Sequence, residues 1–126
     1  ITPSFNQARF LERTIQSVLA QEYPRIEYII MDGGSTDGSV DVIKQHQSRI
    51  ASWVSEQDQG QTDAINKGFN RATGEILAWI NSDDTYNPNA VSEAVKFLVE
   101  NPQVALVYAD CNFIDEEDII FLKVRQ

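Results

Sequence analysis

A chain of 126 residues, 42% of them hydrophobic, is long enough for one globular domain with its own core. Its formal net charge of -9 repels phosphate backbones and acidic bilayers, which sets aside nucleic acid and anionic membrane surfaces as partners. No run of about 18 apolar residues exists, so no membrane-spanning helix is expected, and residues 1–6 lack the basic-then-apolar pattern of a signal peptide.

The chain opens on Ile1 rather than methionine and closes on Val124-Arg125-Gln126 directly after an apolar run. The expectation is a piece of a longer protein, with Ile1 the tail of a strand. A single cysteine, Cys111, excludes an intramolecular disulfide framework and fits a reducing, cytoplasmic compartment. Its expected role is that of a small buried hydrophobe.

Along the chain one rhythm recurs: apolar strand, polar turn, amphipathic helix. In residues 8–21, Leu11, Ile15, Val18 and Leu19 fall on one helical face. Tyr23-Pro24 follows as a stop, because the residue before proline avoids the helical region. Residues 28–31, Tyr-Ile-Ile-Met, have no polar alternation and predict a short buried strand. Asp32 to Gly38 is a turn, with Ser35 or Thr36 available to cap a helix over residues 39–47, and Asp37 expected in its first turn.

Residues 50–55 predict a strand and Gln57-Asp58-Gln59-Gly60 a loop. The next helix places Ile65, Gly68, Phe69 and Ala72 on one face and ends near Gly74. Residues 76–80 predict a strand, and Asn81 to Asn87 a polar loop, with Asn87-Pro88 supplying a cap and first-turn proline. The following helix is expected to bury Val91, Ala94, Val95, Leu98 and Val99. After Asn101-Pro102, residues 104–108 predict another strand. Phe113-Ile114 and residues 119–124, joined by Asp115-Glu116-Glu117-Asp118, read as a hairpin.

Strands alternating with helices define an α/β fold with an open, mostly parallel sheet and flanking helices, in one domain over residues 1–126. Ligands of such sheets bind beyond the carboxyl ends of the strands. The turns to inspect are therefore residues 2–6, 32–38, 56–63 and 81–86, all rich in carboxylates, amides and hydroxyls.

Several chemistries fall away. There is no G-x-x-x-x-G-K-[ST] phosphate loop and no G-x-G-x-x-G after a strand. The one histidine, His46, is expected to be solvated near a helix end and has no spacing that supports a triad or zinc site. Counting an EF-hand loop from Asp32 reaches Ile43, and from Asn81 reaches Ser92, where a bidentate glutamate is required.

Of what remains, Asn81-Ser82-Asp83-Asp84 is the strongest signal. Adjacent carboxylates at a sheet's carboxyl edge repel one another, which favours a cation or a raised pKa. An oxygen site with few protein ligands suits Mn or Mg, the rest of the coordination going to phosphate oxygens and water. A pair of solvated turn residues is the competing reading. Asp32 ends an apolar strand before two glycines; it either accepts a hydrogen bond from a ligand or caps the following turn.

Taken together the turns resemble family 2 glycosyltransferases, whose nucleotide-binding half has the GT-A fold. The resemblance rests on Thr2-Pro3-Ser4-Phe5-Asn6, Ser17 to Gln21 with Tyr23-Pro24, Met31 to Gly38, Asp63 to Gly68, Ala72 to Glu75 and Asn81 to Asp84. It covers nearly the whole chain. It implies a nucleotide-sugar donor, commonly uridine-linked, and an inverting transfer to a carbohydrate, lipid-linked or other hydroxyl acceptor. Cell-wall or polysaccharide synthesis, at a cytoplasmic or membrane-peripheral location, is the setting it suggests. On the matched positions Pro3, Ser4 and Asn6 line the base and ribose pocket and Asp32 meets the uracil. Asp83 is the metal-binding aspartate of the D-x-D element, whose first position here is Asn81. An amide there can still bond a ribose hydroxyl. Asp84 supports Asp83 or contacts the donor. Asp63 and Lys67 face the donor, Lys67 available to the diphosphate or else an exposed helix lysine.

An inverting transfer needs a carboxylate base. The resemblance places it beyond Gln126; Asp110 is the nearest candidate within the chain, with a structural or donor-side role preferred. The other readings are a non-catalytic nucleotide-binding module and a sugar nucleotidyltransferase. The latter calls for a glycine-rich basic segment near the amino terminus, where residues 3–9 supply only Arg9.

Overall fold

β1 (Thr2–Ser4), β2 (Ile29–Asp32) and β3 (Ser52–Ser55) form a parallel sheet in the order β1-β2-β3 in the computed structural model, which describes residues 1–117 and 119–125. The register sets Ser4 beside Asp32 and Asp32 beside Ser55, so the three strands end in one row. All four residues of β2 are buried. Because side chains alternate across a strand, Ile30 joins a cluster with Leu11, Ile15, Ile43 and Ile50 on one face. Ile29 and Met31 meet Ala64 on the other. Helices on both faces explain why this strand reads as an unbroken apolar run.

α1 (Ala8–Leu19) buries Leu11, Ile15 and Val18 at the spacing the sequence predicts. α2 (Ser39–His46) runs into a single 3-10 turn, Gln47–Arg49. Its cap differs from expectation. Gly38, at φ 103°, occupies the N-cap position, while Ser35 turns to Asp32 and Thr36 bonds Asn6. Asp37 lies before the helix rather than in its first turn and accepts from the Ser39 amide. His46 is half-buried, 3.5 Å from a Glu12 carboxylate oxygen, where a solvated side chain was expected.

α3 (Gln61–Arg71) buries Ala64 and Gly68. The expected face was centred elsewhere: Ile65, Phe69 and Ala72 are only half-buried. The small residues win the contact because the helix approaches β1 closely, a Cβ on Gly68 falling 2.3 Å from Ile1 Cγ2. The helix stops at Ala72, before Gly74, and the Thr73 amide bonds the Glu27 carboxylate at 2.7 Å.

Residues 76–80 do not form the strand the sequence predicts. One residue pairs with them: the Ile1 nitrogen donates to Ala78 O and the Ile80 amide to Ile1 O. Two bonds to a single residue are too few for a ladder, though they hold Ile80 in the core beside β1.

The chain divides into two compact units, Ile1–Ser92 and Glu93–Gln126, with α4 (Ala90–Glu100) running through the boundary. α4 starts three residues after Asn87, whose carbonyl accepts the Ala90 amide. None of its residues is fully buried: Val91, Ala94, Val95 and Leu98 are half-buried and Val99 is 70% exposed. Eight residues of helix rotate Val99 by roughly 80° from Val91, off the apolar stripe.

In the second unit residues 104–108 are not a strand; among the described residues no strand pairs with them, and Leu106 and Tyr108 are exposed. The expected hairpin is present as β4 (Cys111–Ile114) and β5 (Ile120–Val124), antiparallel with Phe113 opposite Leu122. Asp115 closes it by accepting from the amides of Glu117 and Ile119. Cys111 is exposed on β4, not buried as expected. Asp118, expected in this turn, and Gln126 lie outside the described residues. No helix among the described residues is long and apolar enough to cross a membrane.

Candidate nucleotide-sugar site

At the carboxyl ends of the strands the first unit opens a cleft of about 810 Å³. β1 contributes Pro3 and Ser4, the residue after it the exposed Phe5, and the turn after β2 Gly33 and Gly34. Gln57, Asp58, Gly60 and Gln61 form another wall, and Asn81, Ser82 and Asp83 a rim that adjoins it at Gln61. The turns that carry Asp32 and Asp83 thus share one cavity. Of the residues singled out in the sequence, Pro3, Ser4, Asn81 and Asp83 line it. Asn6, Asp32, Asp63, Lys67 and Asp84 do not, and each instead braces a loop that does.

Ser4 carries the clearest sign of a ligand. It is 4% exposed, lines the cleft, and among the described residues its Oγ has no hydrogen-bond partner. Buried hydroxyls are ordinarily bonded, so an orphan on a cleft wall points to a group supplied from outside.

Asn6 stands at φ 52°, in the left-handed region that asparagine tolerates better than most residues. There its amide donates to Ser35 Oγ at 2.8 Å and its Oδ1 accepts the Thr36 amide at 2.9 Å. The first amides of α1 need partners that no helix supplies itself. The turn after β2 provides them: Gln7 N–H bonds Ser39 Oγ and Ala8 N–H bonds Asp37 Oδ2. The loops after β1 and β2 are thereby sewn together beneath the cleft.

Asp32 lies at the centre of that stitching. It is 2% exposed, and its carboxylate accepts from the Gly34 and Ser35 amides, from the Ser35 hydroxyl and from Ser55 Oγ at 2.6 Å. Three of these bonds fall on Oδ2 and one on Oδ1. Of the two roles open to Asp32 in the sequence, turn capping is the one these bonds describe.

Asp63 and Lys67 brace the wall formed by residues 57–61. Asp63 Oδ2 accepts the Gln59 amide at 3.1 Å and meets Lys67 Nζ at 3.0 Å, while Lys67 also reaches Glu56 at 3.5 Å. The Gln59 amide and then Lys67 hold the Asp63 carboxyl below its ordinary pKa, and Asp63 raises that of Lys67. Lys67 is directed to carboxylates.

The loop that carries Asn81 to Asp83 is held by α1 and by Gln21 just after it. Thr14 Oγ1 donates to Asp84 O, Ser17 Oγ accepts the Tyr86 amide, and Gln21 spans Asn87 O and the Val91 amide. Within the rim Gln61 Nε2 donates to Asn81 Oδ1, and Asn81 Nδ2 donates to Asp84 Oδ2. Burial first, then the charge on Asp83, push the Asp84 carboxyl above its ordinary pKa. Asp83 is exposed and faces the cleft without such an amide partner in the hydrogen bonds described.

Among the described residues no group of three or more His, Cys, Asp or Glu could hold a metal ion by itself. A lone carboxylate opening on a cleft fits a hard cation that takes the rest of its coordination from substrate phosphates and water. Asp83 is the residue that fits this requirement.

Sequence reasoning passed over Gln7, Gln57, Asp58 and Gln61 as individual site residues. The turn containing three of them was marked, but polar residues in a loop give no sign of which way they face. Asp110, exposed before β4, is placed in the second unit.

A parallel sheet whose carboxyl edge opens on such a cleft is the GT-A arrangement of nucleotide-diphospho-sugar transferases. Residues 1–120 match Glycosyl transferase family 2, and the chain belongs to that family. An uncharacterized glycosyltransferase of Nostoc sp. is 38% identical over 121 residues, covering 94% of this chain and 37% of its own length. The mannosyltransferase PcManGT from Pyrobaculum calidifontis, solved with GDP-Man and Mn2+, superposes with a TM-score of 0.73 at 28% identity, over 79% of this chain and 31% of its own. S. aureus TarS 1-349 in complex with UDP gives 0.70 at 23% identity, over 81% and 32%. The chain therefore spans about a third of the length of these relatives.

Proposed function

We propose that this chain is the donor-binding half of a glycosyltransferase that moves a sugar from a nucleoside-diphosphate sugar, UDP-linked, to an acceptor hydroxyl with inversion. The observation that carries the reading is the buried Ser4 hydroxyl, partnerless among the described residues, on a cleft whose rim bears Asp83. The complexes of TarS with UDP and of PcManGT with GDP-Man and Mn2+ support it.

In this reading Pro3, Ser4 and the face of Phe5 receive the base and ribose, with Asn6 holding their loop in place. The Asn81 amide lies on the rim, and the second N–H of its NH2 would serve a ribose hydroxyl. Asp83 would hold Mn or Mg, which when bound offsets the negative charge of the diphosphate. The acceptor oxygen attacks the anomeric carbon, the bond to the diphosphate breaks, and the electron pair leaves with the diphosphate. The acceptor's proton passes to a carboxylate that we place further along the full-length protein, beyond Gln126.

Titration calorimetry of UDP with and without manganese tests this. UDP is expected to bind, more tightly with metal, and Asp83→Ala is expected to lose the metal's contribution. Metal enhancement unchanged in that variant would remove Asp83 from its role, and absence of UDP binding would remove the reading.

A further inference from the structure

We infer that Asp58 is the group that selects the nucleobase, by accepting a hydrogen bond from a ring N–H that lies beside a carbonyl, as in uracil and guanine. The assignment rests on the nucleotide-sugar reading above. Three observations lead to it.

The first is the state of Asp32: four donors meet its carboxylate, it is 2% exposed, and it is not among the residues that line the cleft. The second is the position of Asp58. It is half-buried, lines the cleft, and lies directly on Gly33, where a Cβ would fall 2.9 Å from its Oδ2. Gly33 follows the end of β2, so Asp58 stands over the floor of the cleft, on the same turn that Asp32 organises from below. The third is how the side chain is held. Oδ1 accepts the Gly60 amide at 2.8 Å, anchoring one oxygen, and no described hydrogen bond uses Oδ2. A carboxylate anchored by one oxygen, with the other on a cleft floor made of glycine, is preorganised to accept.

The chemistry then discriminates. Uracil N3 and guanine N1 carry a hydrogen and donate to a carboxylate. Cytosine N3 and adenine N1 are acceptors, and a carboxylate against either is repulsive. A buried polar group left without its partner is among the stronger sources of ligand discrimination.

Calorimetric titration of UDP, GDP, CDP and ADP at saturating manganese reads this directly, since all four share the diphosphate. The wild-type protein is expected to favour UDP and GDP. Asp58→Asn keeps an oxygen for the Gly60 amide and presents an NH2 to the base. It should weaken UDP on the order of ten- to a hundredfold and bring CDP level with it or ahead. Gly33→Ala provides a second variant with no change of charge. Its methyl displaces the Asp58 carboxylate and should cost UDP more affinity than CDP. A UDP-to-CDP preference unchanged in both variants would overturn the assignment while leaving the nucleotide-sugar reading intact. A wild-type protein that binds none of the four would overturn both.

Discussion

Gln61 Nε2 donates to Asn81 Oδ1 at 2.6 Å, and that one bond decides which way the Asn81 amide faces. With its oxygen occupied, Asn81 must turn its NH2 toward the rim, where it meets Asp84 Oδ2 at 3.1 Å. The Asn81 amide therefore serves a neighbouring carboxylate, and of the adjacent pair Asp83 and Asp84 it is Asp83 that lines the cleft. Asn81→Asp would strip Asp84 of this donor and add a third charge beside Asp83. The variant's melting temperature is expected to fall by on the order of 5 °C without divalent metal. Manganese should then raise it more than it raises the wild type. Equal metal shifts in a thermal-melt comparison would refute this account of the rim.

Lys67 invites a diphosphate role from sequence, yet its ammonium lies between Asp63 and Glu56. Two carboxylates already compensate it, and it is absent from the cleft lining. Lys67→Met is therefore expected to change UDP affinity less than about threefold, an indirect loop effect of the size exposed ion pairs produce. Asp63→Ala should do more, because it also releases the Gln59 amide and with it the loop that carries Asp58. A calorimetric loss of tenfold or more in Lys67→Met alone would return the lysine to the donor.

Asp37 accepts from Ala8 at the start of α1 and from the amide and hydroxyl of Ser39 at the start of α2. Burial disfavours its charge, but the bonds from Ser39 and Ala8 outweigh that and hold the carboxyl below its ordinary pKa. A depressed folded pKa means stability that is fully present above the unfolded value of about 3.9 and fades as pH falls through the folded one. Asp37→Ala should cost about 1 kcal/mol near neutrality, as lost helix caps do. The gap in melting temperature between wild type and variant should close as pH drops below about 4. A gap that persists or widens in acid would show that the carboxylate's charge plays no part.

The parallel sheet was legible because its middle strand has both faces covered, which leaves Tyr28 to Met31 with no polar alternation to mislead. α1 was legible because Leu11, Ile15 and Val18 keep the helical period. What failed did so for want of neighbours: residues 76–80 and 104–108 are strand-like in composition, but a ladder needs a partner, and one has only Ile1 while the other has none among the described residues. The site divided in the same way. Ser4 could be placed at the cleft because it ends β1, and Asp83 because the run before it is tied to Ile1 beside that strand. Asp32 stayed open between two readings, because nothing local announces that Ser55 will reach it from the neighbouring strand. Asp58 was invisible for the converse reason: its importance depends on what leaves space for it, and that is Gly33, twenty-five residues earlier in the chain.

Gly68 offers the sharpest test of how α3 meets β1. Replacing a mid-helix glycine with alanine ordinarily stabilises by about 1 kcal/mol. Here the new methyl would lie 2.3 Å from Ile1 Cγ2 and 3.2 Å from Cγ1, and overpacking of this kind costs about 1–3 kcal/mol. The contact should therefore reverse the usual sign, and Gly68→Ala is expected to lower the melting temperature. In an Ile1→Ala background, which removes both clashing carbons, the same substitution should become neutral or stabilising. The difference between the two backgrounds, measured by thermal denaturation of the four variants, isolates the contact from helix propensity. A stabilising Gly68→Ala in the wild-type background would mean that helix and strand stand further apart than described.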